Sequence, residues 1–155
     1  MRQKIVNYSI LIMISLFISS CDWWSGIWGN HPLGSHLSLW DGDKKEDRAI
    51  VYCEGNCHGG ILVVPIYSRQ FDEKGNYAEY VETVASNKKW IIVKTYQIRE
   101  KKENYWIISK DFDITNLDCS KANCDSILQS YVTGPLNLTD FKIKLETLNI
   151  DLRFK

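Results

Sequence analysis

The chain has 155 residues, with 19 basic and 19 acidic side chains, a formal net charge of zero and 45% hydrophobic residues. Balanced charge excludes the basic footprint of a nucleic-acid binder, and the length suits one domain with its own core. Six Trp and eight Tyr, with many Ile and Val, give a β-prone composition.

The first element is a leader. Arg2 and Lys4 precede an apolar run, 5–18, that is interrupted by Asn7, Ser9 and Ser15. A membrane-spanning helix needs roughly 20 apolar residues. A basic start, an apolar middle and small residues at the end instead form an export signal. The sequence Ile18-Ser19-Ser20-Cys21 resembles the lipobox of bacterial lipoprotein precursors. The resemblance implies that residues 1–20 are a signal peptide cut before Cys21, whose thiol then carries a diacylglycerol, with palmitate as a representative acyl group. It further implies a protein of the cell envelope, lipid-anchored to a bacterial membrane and facing the periplasm or exterior. Two or more acyl chains hold a protein stably on a bilayer. Asp22 resembles the inner-membrane retention signal of enteric bacteria, a rule that does not transfer to all phyla. The leader holds Arg2 and Lys4 and no acid, so the remaining chain has 17 basic and 19 acidic residues and a formal charge of −2.

Residues 21–35 read as a lipidated tether with Gly26, Gly29, Pro32 and Gly34. It carries Trp23, Trp24 and Trp28, half of the tryptophans. Trp favours the membrane–water interface, so these rings either rest on headgroups or pack on the protein's own domain. Residues 36–155 form a single globular domain. His36 to Trp40 alternates as a strand, with Leu37 and Leu39 facing one way and Trp40 the other. Asp41-Gly42-Asp43 opens a polar turn, followed by strands at 49–53 and 61–67, where Pro65 suggests an edge or a bulge in the latter. Phe71 to Asn76 is a loop, and Tyr77 to Ala85 is assigned as a strand on its Tyr, Val and Thr content.

Trp-Ile-Ile-x-Lys then occurs twice, at Trp90 and at Trp106, 16 residues apart. Two strands joined by the charged stretch 99–103 make a hairpin, and apolar residues on both faces place them centrally. Ser126 to Tyr131 reads as a short helix, which Gly134-Pro135 ends. Thr139 is the expected N-cap of a last helix, with Phe141, Leu145 and Leu148 on one face and Lys142, Lys144 and Glu146 towards water. The expected fold is α+β: an antiparallel, mostly-β sheet of five to six strands covered by one or two C-terminal helices.

The ordered series of the two Trp-Ile-Ile-x-Lys strands, Gly134-Pro135-Leu136, Phe141 and Leu145 is similar to a family of small bacterial lipoproteins of unknown function. There, similar strands precede a Gly-Pro-Leu segment and a terminal helix. The resemblance covers about residues 36–151, implies this fold and an envelope location, and brings no catalytic residue.

Five cysteines are an awkward number for an exported chain. With Cys21 lipidated, Cys53, Cys57, Cys119 and Cys124 remain, which suggests two disulfides with three possible connectivities. Local pairing is favoured because each pair brackets a turn-like stretch. Cys53 to His58 has the form C-x3-C-H, one residue longer than a haem-attachment sequence, and sits between strands without an axial partner. Four cysteines would also suit zinc, but an oxidising compartment favours disulfides.

No G-x-S-x-G, P-loop or dinucleotide fingerprint occurs. Glu79 and Glu82 would lie on opposite faces of a strand. His31 and His36 flank the tether and read as polar loop residues. Asp125-Ser126-Ile127 resembles an O-glycosylation sequence of Bacteroidetes, but an ordinary helix start explains it. The reading is a non-catalytic envelope lipoprotein, with no cofactor and no metal, that binds another protein as an immunity, inhibitor or accessory module. Trp40, Tyr52, Tyr67 and Tyr96 are candidate contact residues. A small-ligand binder with a pocket between sheet and helix is the alternative.

Overall fold

The doubled Trp-Ile-Ile-x-Lys motif becomes the centre of a sheet. The computed structural model describes residues 29–53, 60–65, 71, 73–119 and 121–154. Strands β1 (Asn30–Gly34), β2 (Leu37–Trp40), β3 (Ala49–Tyr52) and β4 (Ile61–Val64) form one antiparallel sheet in that order. Strands β5 (Glu79–Ser86), β6 (Trp90–Gln97), β7 (Lys102–Ser109) and β8 (Val132–Leu136) form a second. Helix α1 (Cys124–Ser130) precedes β8, and α2 (Leu138–Thr147) follows it. The α+β class is therefore as expected. Among the described residues the strands number eight rather than five or six, and they divide between two sheets.

Both added strands carry proline. β1 falls within the expected tether, and β8 covers the Gly134-Pro135 segment expected to end a helix. Each lies at a sheet edge, where a missing N–H costs no ladder bond. The central strands show why the echo exists. Ile91 pairs with Ile108, and Ile92 with Ile107. Ile91 and Ile108 face the space between the sheets, while Ile92 and Ile107 face α2. A strand covered on both faces needs apolar residues at consecutive positions.

The main core is shared by the two sheets. Leu37, Leu39, Ile50, Tyr52, Val63 and Val64 of the first meet Val81, Ile91, Val93, Trp106 and Ile108 of the second. Each such side chain stabilises by about 1.5–3 kcal/mol when fully buried, against the conformational entropy of ordering it. On the far face of the second sheet, Ile92, Tyr105 and Ile107 pack with Phe141 and Ile150. Phe141 stacks on Tyr105 at 5.0 Å between ring centroids, and Phe154 lies 5.9 Å from Phe141.

Two pins join the sheets. Arg48, just before β3, donates from its guanidinium to the Glu82 carbonyl at 2.9 Å, and its own carbonyl accepts from Val81 N at 2.9 Å. Glu82 is the extra residue of a β-bulge, where the β5–β6 register shifts between Val81 and Thr83, so its carbonyl is free to turn outward. At the other end, Lys110 Nζ donates to the carbonyls of Leu33 and Asn87. Burial lowers the Lys110 pKa from its ordinary value.

Several local expectations need correction. Thr139 is not the cap of α2. Asn137 holds that position, with its Oδ1 accepting from Asp140 N at 2.9 Å. Asn competes well with Thr at an N-cap, and its place directly after β8 starts the helix sooner. Phe141 is buried and Leu145 packs beside it, but Leu148 follows the last turn and is exposed. His36 belongs to a tight turn with φ 59° rather than to β2. The β6–β7 turn is 98–101, so Lys102 and Glu103 belong to β7. Tyr77 precedes β5 and bridges Phe71.

Gly134 shows how β8 meets its neighbour. Its φ is +147°, and a Cβ there would lie 2.6 Å from Trp106 Cε3 and 2.8 Å from the Tyr105 carbonyl oxygen. Neither the buried indole nor the strand backbone has room to retreat. Gly134→Ala should destabilise the protein by about 1–3 kcal/mol or more, read by chemical denaturation. Gly75→Ala, at an open position with φ +76°, should cost about 1–2 kcal/mol from backbone strain alone.

Candidate functional site

Two clusters of polar side chains could carry chemistry, one on each face of the second sheet. The inner one lies in the shared core. Glu79, Thr95, Asn104 and Trp106 are all at most 7% exposed. Thr95 Oγ1 donates to Glu79 Oε1 at 2.5 Å, and Asn104 Nδ2 donates to the same oxygen at 3.1 Å. Trp106 Nε1 donates to Thr95 Oγ1 at 2.9 Å. The result is a relay of donors ending on one carboxyl oxygen. Buried polar groups must be bonded in this way or destabilise the fold.

The second cluster lies on the α2 side. Tyr105 OH donates to Glu103 Oε2 at 2.6 Å. Lys94 Nζ sits 2.7 Å from Glu82 Oε2 and 3.4 Å from Glu103 Oε1. Burial, aided by the Glu103 carboxylate, pushes the Tyr105 phenol up to about 12. The Tyr105 hydroxyl in turn holds the Glu103 carboxyl below its ordinary value. The hydrogen bond to Glu82 raises the Lys94 ammonium above its ordinary value despite partial burial. Glu79 bonds into the core cluster and Glu82 into the α2-side cluster, so the two carboxylates do face opposite ways.

The cysteines pair locally where the structure describes them. Cys119 and Cys124 form a disulfide with Cα atoms 5.4 Å apart, an ordinary separation. Closing so short a loop stabilises by about 2 kcal/mol in the chain-entropy picture. It also sets the start of α1, where Asn123 Oδ1 accepts from Ser126 N at 3.1 Å. Cys53 is itself disulfide-bonded. Cross-pairing of Cys53 with Cys119 or Cys124 is therefore ruled out, and Cys53 is not free for a haem thioether or a zinc ion. Among the described residues, no group of three His, Cys, Asp or Glu is arranged to hold a metal.

The acidic turn has a structural role. Asp41 receives Arg48 Nε at 2.7 Å on one oxygen, and His31 Nε2 lies 2.7 Å from the other. Asp47 Oδ2 accepts from the backbone N–H groups of Asp43 and Lys44. Of the candidate contact residues, Trp40 is 46% exposed and Tyr96 half-buried, but Tyr52 is buried in the shared core. Tyr52 follows the core-facing parity of Leu37, its partner across β2–β3. Cys21, Trp23, Trp24, Trp28, Cys57, His58 and Tyr67 lie outside the described residues, as do the leader and most of the tether.

The inner polar row was not anticipated, yet it left a signal. Glu79, Thr95 and Asn104 each sit two residues from a core side chain, namely Val81, Val93 and Trp106. A polar residue that extends a core-facing alternation on three neighbouring strands points to a buried network. No protein family, no characterised protein and no solved structure matches this chain.

Thr95 is the link in the inner row. Thr95→Val keeps the shape but leaves Trp106 Nε1 without its acceptor and removes a donor to Glu79. It should cost about 2–3 kcal/mol, since an orphaned buried polar group costs about 1–3 kcal/mol. Thr95→Ser should recover most of that in the same denaturation experiment.

Tyr105 makes a pH prediction. Its folded pKa lies above the unfolded value of 10.0. The stability it contributes is therefore complete below pH 10 and lost as pH rises through about 12. Ultraviolet titration should show a phenol ionising near pH 12. Glu103→Gln should move that phenol back towards its ordinary value, and burial should keep it above.

Proposed function

We propose that the protein is a membrane-anchored envelope lipoprotein whose folded domain is a non-catalytic protein-binding module. The lipobox-like sequence ending at Cys21 supports the anchor. Among the described residues, no helix is long and apolar enough to cross a membrane.

What supports the non-catalytic reading is that the groups of the outer cluster are engaged with one another: Tyr105 OH donates to Glu103 at 2.6 Å, and Lys94 Nζ lies 2.7 Å from Glu82 and 3.4 Å from Glu103. Lys94 is raised, Glu103 lowered and Tyr105 raised. Each shift locks its group in the charge state it already holds near neutrality. A general acid or base needs the opposite, a pKa drawn towards the working pH. The Tyr105–Glu103 hydrogen bond and the ion pairs of Lys94 with Glu82 and Glu103 make these groups a brace across β5, β6 and β7.

For a partner, the outward face of α2 offers Ile143, 55% exposed between Lys142 and Lys144. An apolar residue on a rigid helix with charged neighbours is a suitable centre for a small interface.

Cys21→Ala should abolish incorporation of labelled palmitate and release the protein from the membrane fraction; labelling that survives the substitution would defeat the anchor. For binding, the mature protein in mild detergent should retain a stoichiometric protein partner from envelope extract, and Ile143→Glu should release it. Retention of no protein by a correctly folded sample would favour the small-ligand alternative, which a thermal-shift screen would then address.

A further inference from the structure

The fold fixes the point at which the tether enters the domain. The Gly29 carbonyl accepts from Asp41 N at 2.7 Å. Asn30 pairs with Trp40, and His31 with Leu39. The chain thus enters at one corner of the first sheet, directly beside Trp40. Pairing with Asn30 on one side and Ala49 on the other holds the Trp40 backbone, while nearly half of its surface stays exposed.

A second exposed aromatic lies at this end. Phe71 is 64% exposed and stacks on Tyr77 at 4.7 Å. Lys44 Nζ donates to Asn76 Oδ1 at 3.3 Å, which ties the turn between Phe71 and Tyr77 to the loop that follows Trp40. The tether's entry and two exposed aromatic rings therefore share one end of the molecule.

Only nine residue steps separate Cys21 from Asn30, a reach of at most about 30 Å. Resting on the lipid-anchor reading above, we infer that this end of the domain sits on the membrane that holds the anchor, with Trp40 and Phe71 in the headgroup layer. Aromatic rings with a polar rim favour that layer. The neighbouring loop mixes Asp41, Asp43, Glu46 and Asp47 with Lys44, Lys45 and Arg48, so aromatic insertion rather than attraction to anionic lipid sets the contact. Two rings suffice because the anchor makes docking intramolecular, with an effective concentration in the millimolar range for a short linker. The outward face of α2 remains open to a partner.

Fluorine NMR of the lipidated mature protein, labelled with fluorotryptophan, tests this orientation. The protein is placed in vesicles of phosphatidylethanolamine and phosphatidylglycerol that carry a headgroup nitroxide, and Trp40→Phe identifies the Trp40 signal. The expected result is loss of the Trp40 signal with Trp90 retained, because Trp90 begins β6 at the end remote from Arg48. Equal broadening of the two, or none, in protein that floats with the vesicles would overturn the orientation and leave the anchor standing. A mature N-terminus without a diacyl group, in protein that does not float, would overturn both. A Trp40 signal that shifts with protein concentration but not with the nitroxide would assign the patch to a second copy of the chain instead.

Discussion

Trp106 is the side chain on which the rest of the structure depends. Its ring lies in the core shared by the two sheets, its Nε1 holds Thr95, and one of its faces lies against Gly134 of the edge strand. Packing between the sheets, the buried polar row and the close approach of β8 all meet at this residue. Truncating a buried Trp typically costs about 3–5 kcal/mol, a large part of the 5–15 kcal/mol by which a domain is stable. Its neighbours are constrained accordingly: a hydroxyl at 95, no Cβ at 134 and an apolar layer on both sides.

The two sheets are also fastened at their ends. Arg48 reaches the bulge at Glu82, and Lys110 reaches Leu33 and Asn87. Arg48 and Lys110 each reach backbone carbonyls here, so they tie strand to strand, and Arg48 also pairs with Asp41. Phe141 of α2 closes the outer face by apolar packing, and the Cys119–Cys124 disulfide sets the start of α1. Such a body suits presenting fixed side chains to a partner or a surface, which is the role proposed for it. The polar clusters around Glu79 and around Lys94 are engaged in holding the second sheet together.

Much of this was readable in the sequence wherever a single period ruled. The apolar runs of β6 and β7, the alternation of Leu37 and Leu39, and the spacing of Phe141 and Leu145 gave the central strands, the core side of β2 and the packing of α2. Pro65 marked β4, which does lie at an edge, but the edge strands β1 and β8 were not readable. Pro32 and Pro135 suppress the strand signal in β1 and β8, and only the missing neighbour on one side makes proline tolerable there. Division into two sheets was also hidden, because it depends on contacts such as Arg48 with Glu82 that span 34 residues. At the candidate site, Cys119 and Cys124 were legible as a local pair. The inner row was not, because Glu79, Thr95 and Asn104 read singly as surface residues and acquire meaning only when the three strands are aligned.

The polar row of Glu79, Thr95, Asn104 and Trp106 is a closed part of the core. Hydrogen exchange of the Trp106 indole N–H, followed by NMR alongside the β6 and β7 amides, tests it most directly. The account predicts that the indole exchanges only through global unfolding, with an opening free energy equal to that from denaturation. Exchange at a free energy well below the global value would mean that Trp106 and Thr95 open to solvent in the native state, and the row would then have to be treated as a working site.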